Sequence, residues 1–272
     1  MDFSPILDEK ILESRPISGG DIGRSYMVRT LAKTFFVKYY SKPGVSVNEA
    51  HALSVMSDTD SVSVPDVIKY DENFLVLSYI LQAPRGRDFQ SRLGKDLAGM
   101  HRTFSSRFGF HEDNYIGSTP QKNSYKDSWI DFYLENRLDY QVKLSGDNEL
   151  SRVYARFRGL VPELLKDSQE EPCLIHGDLW AGNVISGPDG RPVLIDPAAY
   201  FGHREMELAM TQLFGGFSGE FYSSYNDTYP LKKGWRERQD LYKLYHVLNH
   251  LNLFGGGYRA QVLGLMNGYL YA

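Results

Sequence analysis

Cysteine is almost absent. Cys173 is the only one in 272 residues, which excludes an internal disulfide framework and a cysteine-rich metal centre. It stands directly before the apolar Leu174 and Ile175 and reads as a buried structural thiol. No uninterrupted apolar run is long enough to span a bilayer, and the opening MDFSPILDEK puts acids where a signal peptide carries basic and apolar residues. A cytoplasmic location is expected. Basic excess is missing too: 30 Lys and Arg against 34 Asp and Glu leave a formal charge of -4, with no general attraction to nucleic acid or to an anionic membrane. If a small substrate carries charge, that balance suits a cation. Internal repeats and low-complexity tracts are also lacking. What remains, 42% hydrophobic and 24% charged, is an ordinary soluble composition with enough chain for a sizeable core.

The first eighty residues read as strands around one helix. SGGDIGRSYMVRT and KTFFVKYYS are followed by a helical VNEAHALSVM and then by VIKYDENFLVLSYI, a hairpin turning at Asp71-Glu72-Asn73. After Gln82-Ala83-Pro84-Arg85-Gly86 the texture changes. FQSRLGKDLAGMHRTF, DSWIDFYLENRLDYQVKL, ELSRVYARFRGLVPELL and RQDLYKLYHVLNHLNLF space their apolar residues three and four apart, as amphipathic helices do. Two short apolar runs, CLIHGDL and PVLIDPA, read as strands joined by a turn at Gly187-Pro188-Asp189-Gly190. The expected class is α+β: a small antiparallel-sheet lobe with one main helix over 1–82 for nucleotide binding, and a mostly helical catalytic and substrate lobe over 83–272.

The strongest chemical signal is His176-Gly177-Asp178-Leu179-Trp180-Ala181-Gly182-Asn183, followed thirteen residues later by Asp196. Phosphoryl transfer needs a carboxylate to orient the attacking hydroxyl and oxygen ligands for magnesium at the phosphates. Asp178 suits the first task, Asn183 and Asp196 the second. Magnesium keeps several water or phosphate oxygens, so one amide and one carboxylate suffice as protein ligands beside ATP. Asp and Asn are also common turn formers, so neither residue alone carries the reading. His176 is assigned to packing beneath the loop. Lys38, after the apolar Phe35-Phe36-Val37, and Glu49 on the following helix fit an ion pair that holds a lysine against nucleotide phosphates. Ser18-Gly19-Gly20-Asp21 offers backbone N–H groups that glycines let approach a phosphate, with Gly19 and Gly20 as contacts, or forms a plain hairpin turn.

The chain resembles the fructosamine kinase (ketosamine 3-kinase) family, within the wider group of aminoglycoside and choline kinase-like folds. The resemblance rests on FGFHEDNYIGSTPQ (108–121), HGDLWAGN, DPAAYFGHREMELAMTQLFGGF (196–217) and LYKLYHVLNHLNLFGGGY (241–258). It implies a protein-kinase-like bilobal fold and ATP-dependent phosphorylation of a ketosamine, chiefly on the third carbon's hydroxyl, in the service of deglycation. It further implies Trp180 as a sugar platform, a residue that would otherwise pack in the core. Ser78-Tyr79-Ile80 would be the hinge facing adenine, with Ser78 and Ile80 as contacts. His203 belongs to the Gly202-His203-Arg204-Glu205 signature and is carried as a substrate contact, with bracing of the loop as its other reading. Ribulosamine, erythrulosamine and fructosamine all remain open as substrates. Some relatives carry a cysteine in the glycine-rich loop that links two subunits; here that stretch has Asp21 and Ile22, so such a dimer is not expected. Two rivals stand beside this reading: an aminoglycoside or choline-type kinase, and a non-catalytic nucleotide-binding protein.

Overall fold

The computed structural model describes residues 3–17 and 23–271. A short helix α1 (Ser4–Leu7) precedes β1 (Glu13–Ile17), β2 (Gly23–Arg29) and β3 (Thr34–Tyr40), and α2 (Val45–Ser57) leads to the hairpin of β4 (Val67–Tyr70) and β5 (Phe74–Ser78). The five strands form one antiparallel sheet in the order β1-β2-β3-β5-β4. Val28, Phe35, Val37 and Val76 bury one side of the sheet, against Phe3. Tyr40, Leu75 and Leu77 pack on Val45, Ala50 and Leu53 of α2. The expected hairpin turn is present: Asp71 Oδ1 accepts from the backbone N–H groups of Asn73 and Phe74 at 2.8 and 3.0 Å. That geometry is why Asp opens such turns.

The chain crosses to the second lobe through 79–88, where Gly86 N donates to Gly190 O at 3.0 Å. Helix α3 (Phe89–Met100) follows, then the small hairpin β6 (Asn114–Ile116) and β7 (Thr119–Gln121). The expected helix at DSWIDFYLENRLDYQVKL is one run with a π-helical middle: α4 (Trp129–Asp131), Phe132–Leu138, then α5 (Asp139–Ser145). The segment ELSRVYARFRGLVPELL splits into α6 (Asn148–Arg158) and α7 (Val161–Leu165), because Pro162 falls at the start of the second piece, where proline lacks no needed N–H. Further on lie β8 (Cys173–Ile175), β9 (Val184–Ser186), β10 (Pro192–Leu194), β11 (Tyr200–Gly202), α8 (Arg204–Leu213), α9 (Gly219–Thr228), α10 (Gln239–Phe254) and α11 (Arg259–Leu270). Trp129, Phe132, Tyr133, Tyr200 and Tyr242 centre the main core. Cys173 is buried and unpaired, and no helix among the described residues is long and apolar enough to cross a membrane.

One pairing differs from expectation. Cys173–Ile175 does not pair with Pro192–Leu194; it pairs with Tyr200–Gly202, while Pro192–Leu194 pairs with Val184–Ser186 across the 187–190 turn. The cause is Gly177, at φ +83°, which turns the chain out of β8. A Cβ there would lie 2.2 Å from Ala198 O, so only glycine fits. Two nested hairpins therefore replace the single one read from the sequence.

Helices α6 and α11 are joined at one carboxylate. Asp147 caps α6 by accepting from Glu149 N and Leu150 N, both at 2.9 Å, and Arg259 Nε at the start of α11 donates to it at 2.6 Å. The Arg259 guanidinium, with those amides, holds the Asp147 carboxyl down to about 2. A depressed folded-state pKa stabilises above the ordinary carboxylate value of 3.8, and that contribution fades as pH falls through about 2. Asp147→Ala is expected to lower stability by about 0.5–2 kcal/mol in urea denaturation at neutral pH. An unchanged midpoint would remove the cap from this account.

Candidate active site

Between the lobes opens a cleft of about 590 Å³, lined from the sheet by Lys38 and Tyr40, from α2 by Glu49 and from the opposite lobe by Asp178, Asn183 and Asp196. Lys38 lies on β3, where alternation puts residue 38 on the same face as Tyr40. Its Nζ donates to Glu49 Oε1 at 2.6 Å and also to Asp196 Oδ1, a residue 158 positions away. Tyr40 OH donates to the other Glu49 oxygen. Burial opposes the Lys38 charge, but the carboxylates of Glu49 and Asp196 outweigh it and hold the ammonium well above its ordinary pKa. Glu49 moves upward, first through burial and then through the charge of Asp196, with Lys38 opposing both.

The nested hairpins assemble the other wall. In the β9–β10 ladder Val184 faces Leu194, and the next rung is Ile195 N donating to Asn183 O at 3.1 Å, so Asn183 and Asp196 emerge side by side. In the β8–β11 pair Ala198 N donates to His176 O at 2.9 Å, which sets Asp178 beside the same point. Asn183 Nδ2 donates to Asp178 O at 2.8 Å, leaving the amide oxygen as the free end. Asp196 takes φ +57°, a left-handed conformation that Asp tolerates better than most residues. The fully buried His176 Nε2 bonds Ile195 O at 2.9 Å, while its Nδ1 accepts from Asp178 N at 3.3 Å. It is a strut beneath the loop.

Asp178 is unusual among the cleft acids: its carboxyl is pushed up to about 7, first by burial and then by the charges of Glu207 and Asp196, with the Asn183 amide opposing. Glu207 is a site residue that the sequence reading missed. Buried on α8, it accepts from the backbone N–H groups of His176 and Gly177, the latter at 3.2 Å, and so pins the loop that presents Asp178. An acid inside the apolar stretch MELAM was its available signal. Tyr40 was also missed, although its position two residues after Lys38 on a strand put it on the same face. A third missed group is a polar network behind Asp196. Asn114 Nδ2 donates to Ala199 O at 2.9 Å, Gln121 Nε2 to Ala198 O at 3.0 Å, and Tyr245 OH to Gln121 at 2.7 Å.

The remaining expected residues divide. Trp180 is 41% exposed and lines the cleft, so it is not a core residue. Its indole lies over Gly182, where an added Cβ would come within 2.2 Å of the ring. Ser78 and Ile80 line the cleft's sheet side; Ser78 Oγ accepts from Asp66 N at 2.8 Å. Gly19 and Gly20 lie outside the described residues. His203 is a correction. Its ring is fully buried, with Nε2 bonded to Ser168 O at 2.7 Å and Nδ1 accepting from Glu205 N at the start of α8, so it braces the fold and does not reach the cleft.

A profile of the fructosamine kinase family matches residues 5–272. A protein-ribulosamine 3-kinase from the chloroplast of Oryza sativa subsp. indica is 42% identical over 277 residues, spanning 96% of this chain and 80% of the rice protein. A candidate fructosamine-3-kinase from Thermobifida fusca, seen in a crystal structure, superposes with a TM-score of 0.91 at 30% identity, over 99% of this chain and 97% of that one. An aminoglycoside phosphotransferase bound to AMP-PNP and hygromycin B shares the fold alone, with a TM-score of 0.66 at 14% identity over 95% and 93% of the two chains.

Asp178→Asn keeps the shape of the loop but removes the carboxylate. It is expected to cut turnover by about 10²–10⁴-fold while nucleotide binding stays within a few-fold of the parent. In the parent, kcat/KM is expected to rise with pH through about 7, as the Asp178 carboxyl loses its proton. Turnover that survives the substitution, or a flat pH profile, would take the base-like role away from Asp178.

Proposed function

This chain belongs to the fructosamine kinase family, and from that premise we propose that it transfers the terminal phosphoryl group of ATP to the third-carbon hydroxyl of a ketosamine. The chain is thus an ATP-dependent phosphotransferase with an alcohol acceptor. The observation that supports the assignment of residues is the convergence of Lys38, Asp178, Asn183 and Asp196 on one cleft between the lobes. In this reading residues 1–82 form the nucleotide-binding lobe and 83–272 the catalytic and substrate lobe.

Magnesium fits the donor set. Asn183 offers an amide oxygen and Asp196 a carboxylate, both hard oxygen ligands. The surrounding charge is also right: Glu49, Asp178 and Asp196 line the cleft against one lysine, Lys38, whose ammonium bonds Glu49 and Asp196, and this excess of carboxylates suits a cation. When bound, the metal supplies neutralisation of the phosphate oxygens.

Every other task falls to the chain itself. Lys38, anchored by Glu49, presents its ammonium to the phosphates. The backbone of Ser78 and Ile80 offers adenine an edge, and the glycines at 19 and 20 are carried as phosphate contacts. Asp178 accepts a hydrogen bond from the acceptor hydroxyl, orients it in line and takes up its proton. Trp180 gives the sugar a flat apolar face with its indole. The formal charge of -4 suits an amine-bearing acceptor. A phosphate beside the ketone carbon leaves by elimination once the ketone enolises toward the amine-bearing carbon, and water then hydrolyses the resulting imine and frees the amine; this is the deglycation chemistry of the proposal. Such a role calls for a compartment supplying ATP and glycated amines, and the cytoplasm is the one proposed.

Incubation with Mg-ATP and a panel of ribulose-, erythrulose- and fructose-lysine beside kanamycin and choline, read by phosphorus NMR, tests the acceptor. New phosphate on the third carbon of one or more sugar amines is expected; phosphate on kanamycin or choline alone would replace the proposal. Trp180→Ala is expected to raise the KM for the sugar amine about tenfold and to leave ATP hydrolysis without acceptor nearly unchanged. Equal losses in both would return Trp180 to a packing role.

A further inference from the structure

Outside the cleft, His51, His111 and Glu112 bring three ligand atoms to within 4.8 Å of one another, the one such group among the described residues. We propose that this cluster binds a borderline divalent transition metal, with Zn²⁺ as the best match, and that the ion clasps the two lobes together. Two imidazoles and one carboxylate, with a fourth position open to water, form a ligand set that zinc takes readily. His51 comes from α2 in the sheet lobe, whereas His111 and Glu112 come from the loop before β6 in the helical lobe. None of the three lines the nucleotide cleft.

The geometry is close to what tetrahedral coordination requires. His51 Nδ1 lies 2.9 Å and His111 Nε2 3.7 Å from Glu112 Oε1. Ligands about 2.0–2.1 Å from a tetrahedral zinc stand about 3.4 Å apart, so small side-chain rotations suffice. The loop is braced for the purpose. Glu112 O accepts from Asn123 Nδ2 at 3.1 Å, and the adjacent Asp113 Oδ1 accepts from Asn123 N at 2.8 Å. His111 lies against Phe110 at 4.3 Å and His51 meets Tyr70 edge-on at 5.8 Å, which limits how far either ring turns. The His111 side chain is 52% exposed and Glu112's 23%, so an ion has a way in.

Competing positions are few. Of seven histidines, His101, His176, His203 and His246 are buried, His250 Nδ1 is bonded to His246 O, and Cys173 is buried. The helix of His51 also carries Glu49, so the clasp fixes the element that anchors Lys38.

Calorimetric titration of Zn²⁺ into the full chain, free of Mg²⁺ and nucleotide, with Co²⁺ visible absorption in parallel, tests the site. One equivalent is expected, with four-coordinate Co²⁺ bands and a thermal midpoint raised by Zn²⁺. His51→Ala and His111→Ala should each weaken binding at least tenfold and abolish the rise in midpoint, while keeping the parent's midpoint without metal. His250→Ala and Asp196→Ala, the latter lacking the cleft's cation ligand, should retain the site. Undiminished binding in both His51→Ala and His111→Ala, or loss in Asp196→Ala instead, would overturn the proposal.

Discussion

The ammonium of Lys38, buried and shared between Glu49 and Asp196, is the contact on which the site depends. A charged amine taken out of water is tolerated only where oxygen partners surround it. Those partners come from two places, α2 and the far lobe, and Tyr40 on β3 in turn bonds Glu49. One buried charge therefore fixes the roll of α2, the register of β3 against that helix, and the approach of the lobes. The same arrangement leaves more carboxylates than cations in the cleft. Burial first, and the neighbouring carboxylates after it, push up Glu49 and Asp178.

A second layer keeps the far-lobe carboxylates in place. Glu207 lies 3.8 Å from the buried His101 Nε2 and gathers the backbone N–H groups of His176 and Gly177. Helix α8 is itself tied down by Arg204 to Glu170 at 2.6 Å and by Arg238 to Glu205 at 2.6 Å, both buried or nearly so. Behind Asp196, Asn114 and Gln121 hold the carbonyls of Ala199 and Ala198. These supports hold the backbone on either side of the cleft carboxylates, where in-line geometry is required.

Much of this was legible in the residues. The spacing from Asp178 through Asn183 to Asp196, and a lysine following an apolar run ahead of a helical glutamate, announced both halves of the cleft, because local turn and strand periodicity determine which way those side chains point. What resisted reading was non-local. Glu13–Ile17 is an exposed edge strand containing Pro16, so it lacks the apolar alternation that marks a strand. The partners of three-residue strands such as Cys173–Ile175 depend on a positive-φ glycine, not on pattern. His203 looks like a cleft residue in a polar-rich signature and Glu207 sits unmarked among apolar neighbours; only the packing of α8 shows that the first caps a helix and the second supports a loop.

A crystal structure with Mg²⁺ and a non-hydrolysable ATP analogue tests the central claim most directly. The account predicts that Asp196 leaves Lys38 for the metal, that Asn183 joins it there, and that Lys38 stays on Glu49 while reaching the phosphates. A nucleotide bound with the Lys38–Asp196 pair intact and no metal at Asn183 would contradict it.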